Sequence, residues 1–467
     1  MMTNARRTWL ASGILAVALT LGIDPLAAQT PSKAGSAEMR FWDWTSLDFS
    51  VEEYAARRER LLDGLAATGG GILIVPGDHG ISHGVTFRQL DDFHYLSGLE
   101  VPASILALDA DRREVLLFTP HRDARYENPG RPNDFPGRPL GDDPTLATVS
   151  GIEQIVDADT FEARLEAWTR EGRLLRVNGG RRGELPSSAT VALPDWDAED
   201  LLLLHIRTTR PTARITNAFE AIARVRSVKS TAEIDAMRRV AELTARSIRE
   251  AAGWVTSGVD ERTLGGHFQL ACKRGGSQRV PFHPIVKSGP NSLRPWRVLT
   301  AHYDRRNRRM ENGDLVIFDV GCELDHFVSD VGRTFPVSGR FSPEQRRALE
   351  LSTSVSAAII VAVKPGITLL DLQEVADSNI PNDQKKYMQT GLYFGHHIRL
   401  STGTPVLTDE PLQPGMIFTV EPWYYNHDDQ ISVFIEDAVL VTETGAEVLS
   451  DDLPRRPEEL AKLVPGR

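Results

Sequence analysis

Only two cysteines, Cys272 and Cys322, occur in 467 residues. So few thiols exclude a dense disulfide scaffold and an all-thiolate zinc site. Positive charge is also scarce, with 53 Lys and Arg against 64 Asp and Glu and a formal net charge of −11. An acidic surface argues against nucleic acid as a partner, because phosphate binding depends on clustered cationic side chains. The apolar run from Trp9 to Ile23, about 15 residues, falls short of the roughly 20 that span a bilayer, so no stable membrane anchor is expected.

That run reads instead as an export leader over residues 1–28, with Arg6-Arg7 before it and Leu26-Ala27-Ala28 after it as a cleavage site. The paired arginines also fit a twin-arginine signal, and the expected destination is the periplasm or the exterior. Losing Arg6, Arg7 and Asp24 with the leader takes the net charge to −12. Export would permit a disulfide, but Cys322 stands beside an acidic strand and reads as packing. Two buried thiols are expected.

With 41% apolar residues the remainder is long enough for two domains with full cores. Between Val51 and about Arg210, "GILIVPG", "SILALDA" and "EVLLFTP" read as strands, while "VEEYAARRERLLDGLAA" has helical spacing. The alternation predicts an α/β domain over 45–212. "NPGRPNDFPGRPLGDDP", residues 128–144, reads as a surface loop and "RTTRPTARIT", residues 207–216, as a linker. A second domain is expected over 216–460. Within it Ser230 with Glu233, and Ser342 with Gln345, have the capping-box spacing ahead of long amphipathic helices. Two such starts hint at an internal duplication.

The chemistry lies in two acidic hairpins. In "DLVIFDVGCELDHFVSDVGRTFPV" a turn at Leu324-Asp325 would set Asp319 directly opposite Asp330. In "MIFTVEPWYYNHDDQISVFIEDAVLV" a turn at Asp428-Asp429 sets Glu421 opposite Glu436. Opposed side chains have Cβ atoms roughly 4.5–5.5 Å apart, and like charges there repel. Two charged surface hairpins would explain one such pair; two inward-facing pairs call for cations between them. Four carboxylates and one imidazole suit two divalent ions, Mn²⁺, Zn²⁺ or Co²⁺. In "GLYFGHHIRLSTG" the adjacent His396 and His397 point to opposite faces of an extended segment, so at most one meets the metals.

These stretches, with "FRQLDDFHYLSGL", "SVKSTAEIDAMRRV" and "IEDAVLVTETG", resemble the aminopeptidase P family of Xaa-Pro peptidases, within the creatinase and methionine aminopeptidase superfamily. The resemblance implies an N-terminal creatinase-like α/β domain and a C-terminal "pita-bread" domain with pseudo-two-fold duplication. Carried over by position, it makes Asp319, Asp330, His396, Glu421 and Glu436 ligands of two ions, most often Mn²⁺, with Asp330 and Glu436 bridging. It places His302 near the substrate, Tyr425 in the site wall and Glu421 as proton carrier. It further implies hydrolysis of the bond before a proline in second position, through a hydroxide shared by the ions, and a homodimer or homotetramer.

The departures are as specific as the matches. The family's histidines flanking the metal histidine are here Leu392 and Gly403, and the arginine two residues before the last ligand is Phe434. That arginine would face the acid that is here Asp92, which is expected to lack its partner. His283 and His427 are the candidate substitutes. Two other readings follow from the altered shell: a prolidase-like dipeptidase or another hydrolase of the same fold, and a peptide-binding relative without catalysis. Retention of all five ligand types argues against the last.

Overall fold

The computed structural model describes residues 47–79, 87–120, 145–179, 197–294, 307–388, 395–401 and 409–465. The expected leader, the Pro/Gly loop, His302, Leu392 and Gly403 lie outside them.

The N-terminal part begins with helix α1 (Val51–Ala67), capped by Ser50, then β1 (Ile72–Pro76) and α2 (Asp91–Ser97). It continues through β2 (Ile105–Asp109), β3 (Glu114–Thr119), α3 (Thr145–Ser150), β4 (Gln154–Asp157), α4 (Phe161–Arg170), β5 (Leu174–Val177), α5 (Ala198–Thr209) and β6 (Arg214–Asn217). Six strands form one mixed sheet in the order β4-β3-β2-β1-β5-β6. Alternation along β1 assigns the faces: Ile72 and Ile74 meet Phe161, Leu165, Trp168, Leu203 and Ile206 of α4 and α5, while Leu73 and Val75 face the core shared with the rest of the chain.

Residues 207–216, expected as a linker, instead close α5 and build most of β6, which pairs with β5 from Leu174↔Arg214 to Val177↔Asn217. The strand is four residues long and only half-buried, so it carries none of the apolar run that marks an inner strand.

Helices α6 (Phe219–Ser227), α7 (Thr231–Ala252) and α8 (Glu261–Arg274) lead to β7 (Ile285–Ser288), β8 (Leu315–Val320), β9 (Glu323–Leu324), β10 (Phe327–Val328) and β11 (Val331–Pro336). Next come α9 (Pro343–Ala362), α10 (Leu369–Asn379), β12 (Ile417–Val420), β13 (Trp423–Asn426), β14 (Ile431–Phe434), β15 (Asp437–Val441), β16 (Ala446–Val448) and α11 (Pro457–Leu463). Helix pair followed by acidic hairpin occurs twice. Both α7 and α9 start in a reciprocal capping box, Ser230 with Glu233 and Ser342 with Gln345, as their spacing predicts.

The junction between the two parts is polar as well as apolar. Arg57 of α1 reaches Glu53 at 3.0 Å and Glu233 of α7 at 3.3 Å, and Arg399 also pairs with Glu233. The Tyr95 ring lies between these guanidiniums, 4.9 Å from Arg57 and 3.9 Å from Arg399. Asp92 has a cationic partner after all: Arg226 meets it at 2.6 Å and Asn178 donates at 2.7 Å. An arginine from α6 thus supplies the cation that position 434 does not.

Cys272 on α8 and Cys322, after β8, are buried as expected but are joined in a disulfide, with Cα atoms 5.7 Å apart. Their Cα spacing is an ordinary one for the bond. The closed loop spans a separation of 50 residues, so replacing both cysteines by alanine should cost about 2–4 kcal/mol. Thermal melts with and without reductant check this: the parent should lose stability on reduction, and the double variant should not respond.

Candidate metal centre

Each acidic strand owes its position to a local feature. In the first hairpin Asp325 and His326 both take left-handed φ values, 51° and 66°, so the turn centres on them and not on Leu324-Asp325. A tight turn with two such residues suits Asp better than Leu, whose branched side chain disfavours φ > 0. The register moves by one pair as a result. Asp319 faces Gly332, and Asp330 is its diagonal neighbour rather than its direct opposite. The second hairpin keeps the expected register: Val420↔Asp437 and Trp423↔Phe434 enclose Glu421 and Glu436.

His396 arrives by a close backbone approach. Gly395 has φ 154°, and a Cβ there would lie 1.7 Å from the Thr419 carbonyl oxygen, so only glycine lets the segment meet β12. Thr419 N–H donates to the His396 carbonyl at 2.8 Å, and the Thr419 hydroxyl accepts from His396 N–H at 3.1 Å. The imidazole Nε2 then stands 3.5 Å from Asp330 Oδ2 and 3.7 Å from Glu421 Oε1. One ligand atom each of Asp330, His396 and Glu436 fall within 4.8 Å of one another.

The electrostatics are those of an unneutralised cluster. Asp319 is pushed well above the usual carboxylate range by burial first, then by the charges of Asp330 and Glu421. Glu436 is raised in the same way, by burial and then by Asp330, Glu421 and Asp319. Burial also raises Glu421, against the pull of His396. Burial opposes charging of His396, but Asp330 and Glu421 hold it up at about 9. Asp319 Oδ2, Asp330 Oδ1 and both Glu436 carboxylate oxygens are buried without a hydrogen-bond partner. Buried carboxylate oxygens are almost always satisfied, so four unsatisfied ones in a cluster that also holds an imidazole match the donor set of divalent cations.

Several supports were not legible in the sequence. Fully buried Arg333 donates to the Glu436 carbonyl at 2.6 Å and pairs with Asp437 at 2.6 Å, fixing the backbone from which Glu436 projects. Tyr425 is half-buried, two residues beyond Trp423 on β13. His427 is exposed in the turn after β13, six residues from Glu421 and so roughly 20 Å along the strand, too far to serve the cluster. His283 is exposed and stands two residues before Ile285, which pairs with Asp319.

Residues 235–443 match the model of metallopeptidase family M24, and residues 54–174 match the aminopeptidase P N-terminal domain. Together these cover well over half of the chain, in the order expected. The chain belongs to the aminopeptidase P family. It is 26% identical over 461 residues to Xaa-Pro aminopeptidase 3 of Mus musculus, across 89% of this chain and 86% of that protein. It is 25% identical to Xaa-Pro aminopeptidase of Escherichia coli (strain K12), across 89% and 98%. The solved structure of Pseudomonas aeruginosa aminopeptidase PepP superposes with a TM-score of 0.73 at 25% identity, covering 90% of this chain and 98% of that one. The fold is therefore that of an aminopeptidase P, an N-terminal α/β domain ahead of a pita-bread domain, and the protein is a metallopeptidase.

Within this aminopeptidase P the two adjacent histidines differ in kind. His397 is buried against Phe418, and burial followed by the Lys229 charge pushes it down to about 3. His396→Ala should therefore strip metal and activity, whereas His397→Ala should keep its metal and lose stability alone. Equal metal loss in the two variants, measured by elemental analysis, would contradict this placement.

Proposed function

We propose that this protein is an exported di-metal exopeptidase that removes the N-terminal residue from peptides with proline in second position. The observation that carries the proposal is the set of four buried, unsatisfied carboxylate oxygens on Asp319, Asp330 and Glu436, with His396 Nε2 standing 3.5 Å from the other Asp330 oxygen. The five ligands would be Asp319, Asp330, His396, Glu421 and Glu436, with Mn²⁺ the first candidate and Zn²⁺ or Co²⁺ the others. When bound, the ions would supply an activated water and positive charge for the scissile carbonyl oxygen.

The chain's own residues do the rest. Glu421 accepts at 3.3 Å from Thr419 and at 3.4 Å from the Trp423 indole, so its carboxyl is aimed while burial holds its proton affinity up. Those features suit a group that takes a proton from water and returns it to the leaving amine. His396 and Asp330 hold each other in place, and Arg333 fixes the strand behind Glu436. The exposed His283, beside the Asp319 strand, is the candidate second proton donor; its alanine variant should lose activity and retain metal.

Export is supported by the N-terminal run and by the Cys272–Cys322 disulfide, a bond that persists in oxidising compartments. Among the described residues no helix is long and apolar enough to cross a membrane. The test is hydrolysis of Xaa-Pro-Yaa peptides against Xaa-Pro dipeptides by protein purified without chelator. Cleavage of the longer peptides before proline supports the proposal; exclusive dipeptide cleavage makes the enzyme a prolidase; no cleavage of either, with metal bound, rejects both.

A further inference from the structure

The face of the second hairpin that carries Glu421 and Glu436 continues into an aromatic pair. Trp423 is opposite Phe434 in register, and the two rings stack with centroids 3.6 Å apart and planes 22° apart. Tyr425 stacks next along, 5.4 Å from Trp423 at 9°. Phe434 is fully buried, and its backbone is clamped by the Thr334 hydroxyl, which accepts from Phe434 N–H at 2.8 Å and donates to its carbonyl at 2.9 Å. A Cβ on Gly332 would stand 2.1 Å from Phe434 Cε1, so the ring fills the space that glycine leaves opposite Asp319. Ile317, two residues before Asp319, completes the apolar contact.

This cluster ends on Glu421. The Trp423 indole N–H donates to Glu421 Oε2 at 3.4 Å, and the indole plane is fixed by Phe434 on one strand and Tyr425 on its own. Family resemblance puts an arginine at 434; here the cation that Asp92 needs comes from Arg226, and position 434 is free to pack.

We propose that Trp423 is a positioning residue for Glu421, and that Phe434 acts through Trp423 by locking the indole. A neutral N–H held by ring stacking thus orients the Glu421 carboxylate. The inference rests on the functional reading above for its kinetic arm, and stands apart from it for its metal arm.

The experiment compares Trp423→Phe, which removes the N–H and keeps a ring, with Phe434→Leu and the double variant. Two readouts are taken: kcat and KM on an Xaa-Pro-Yaa peptide, and the chelator concentration that strips half the metal. Trp423→Phe should lower kcat about tenfold, as loss of one hydrogen bond to a charged group does, with KM unchanged and metal released at lower chelator. Phe434→Leu should lower kcat less, and the double variant should match Trp423→Phe, since both act on one contact. Parent-like kcat and parent-like metal retention in Trp423→Phe would overturn the proposal, as would strictly additive losses in the double variant. If the parent cleaves no Xaa-Pro peptide, the functional reading fails, and the chelator titration alone decides: a shift in Trp423→Phe, absent further shift in the double variant, upholds the contact, and no shift rejects it.

Discussion

Asp330→Ala should lower peptide hydrolysis by more than about a thousandfold, a loss of roughly 4 kcal/mol of transition-state stabilisation. Asp330 stands at the centre of the cluster: it faces His396 at 3.5 Å and raises the proton affinity of Asp319, Glu421 and Glu436 alike. Its removal should have opposite effects on the metal-free and metal-loaded protein. Without metal the remaining acids repel less, so the variant should melt at or above the parent temperature in excess chelator. With metal present the parent gains stability by mass action, about 2.7 kcal/mol when free metal is a hundredfold above its dissociation constant, and the variant should gain little. Melting curves in chelator and in metal, run on both proteins, check the crossing. A variant that melts below the parent by the same margin in both conditions would show that Asp330 is a structural residue.

Glu233→Ala should destabilise the protein by about 3–5 kcal/mol, the usual result of leaving buried charges without their partner. Glu233 is fully buried between Arg57 and Arg399, themselves almost without exposure, and its second oxygen accepts from Ser230 N–H at 2.9 Å in the capping box. One substitution thus leaves Arg399 without its carboxylate, leaves Arg57 with Glu53 alone, and frays the start of α7. Urea denaturation measures the cost. Replacing Arg399 and Glu233 together by leucine should cost less than Glu233→Ala, because the orphaned charge of Arg399 goes with its partner. A Glu233→Ala variant within about 1 kcal/mol of the parent would mean that these ions are solvated and the junction is not as closed as described.

Strands with strong apolar runs, long capped helices and the second acidic hairpin were legible in the sequence because each is decided by local chemistry. Helix α1 spans the quoted segment from Val51 to Ala67, and the pairing of Glu421 with Glu436 follows from a turn whose position the hydrophobic pattern fixes. In the first hairpin Asp319 faces Gly332 instead of Asp330 because either turn satisfies the apolar pattern; the preference of Asp325 over Leu324 for φ > 0 is the signal that separates them. The edge strand β6 escaped because four half-exposed residues have no periodicity to read. The disulfide and the Arg226–Asp92 pair escaped for a different reason: both join residues far apart in the chain, and only the packing of α8 on the first hairpin and of α6 on α2 brings them together. Arg333 belongs to the same class, since its partner Asp437 lies 104 residues away.

The central claim is that Asp319, Asp330, His396, Glu421 and Glu436 exist to hold a pair of divalent ions. Elemental analysis of the full chain, purified without chelator and then dialysed against divalent-metal buffer, tests it most directly. Two divalent ions per chain are expected in the parent and fewer than one in Asp330→Ala at the same free metal concentration. A folded parent with no bound divalent metal, or an Asp330→Ala variant that still holds two ions, would contradict it.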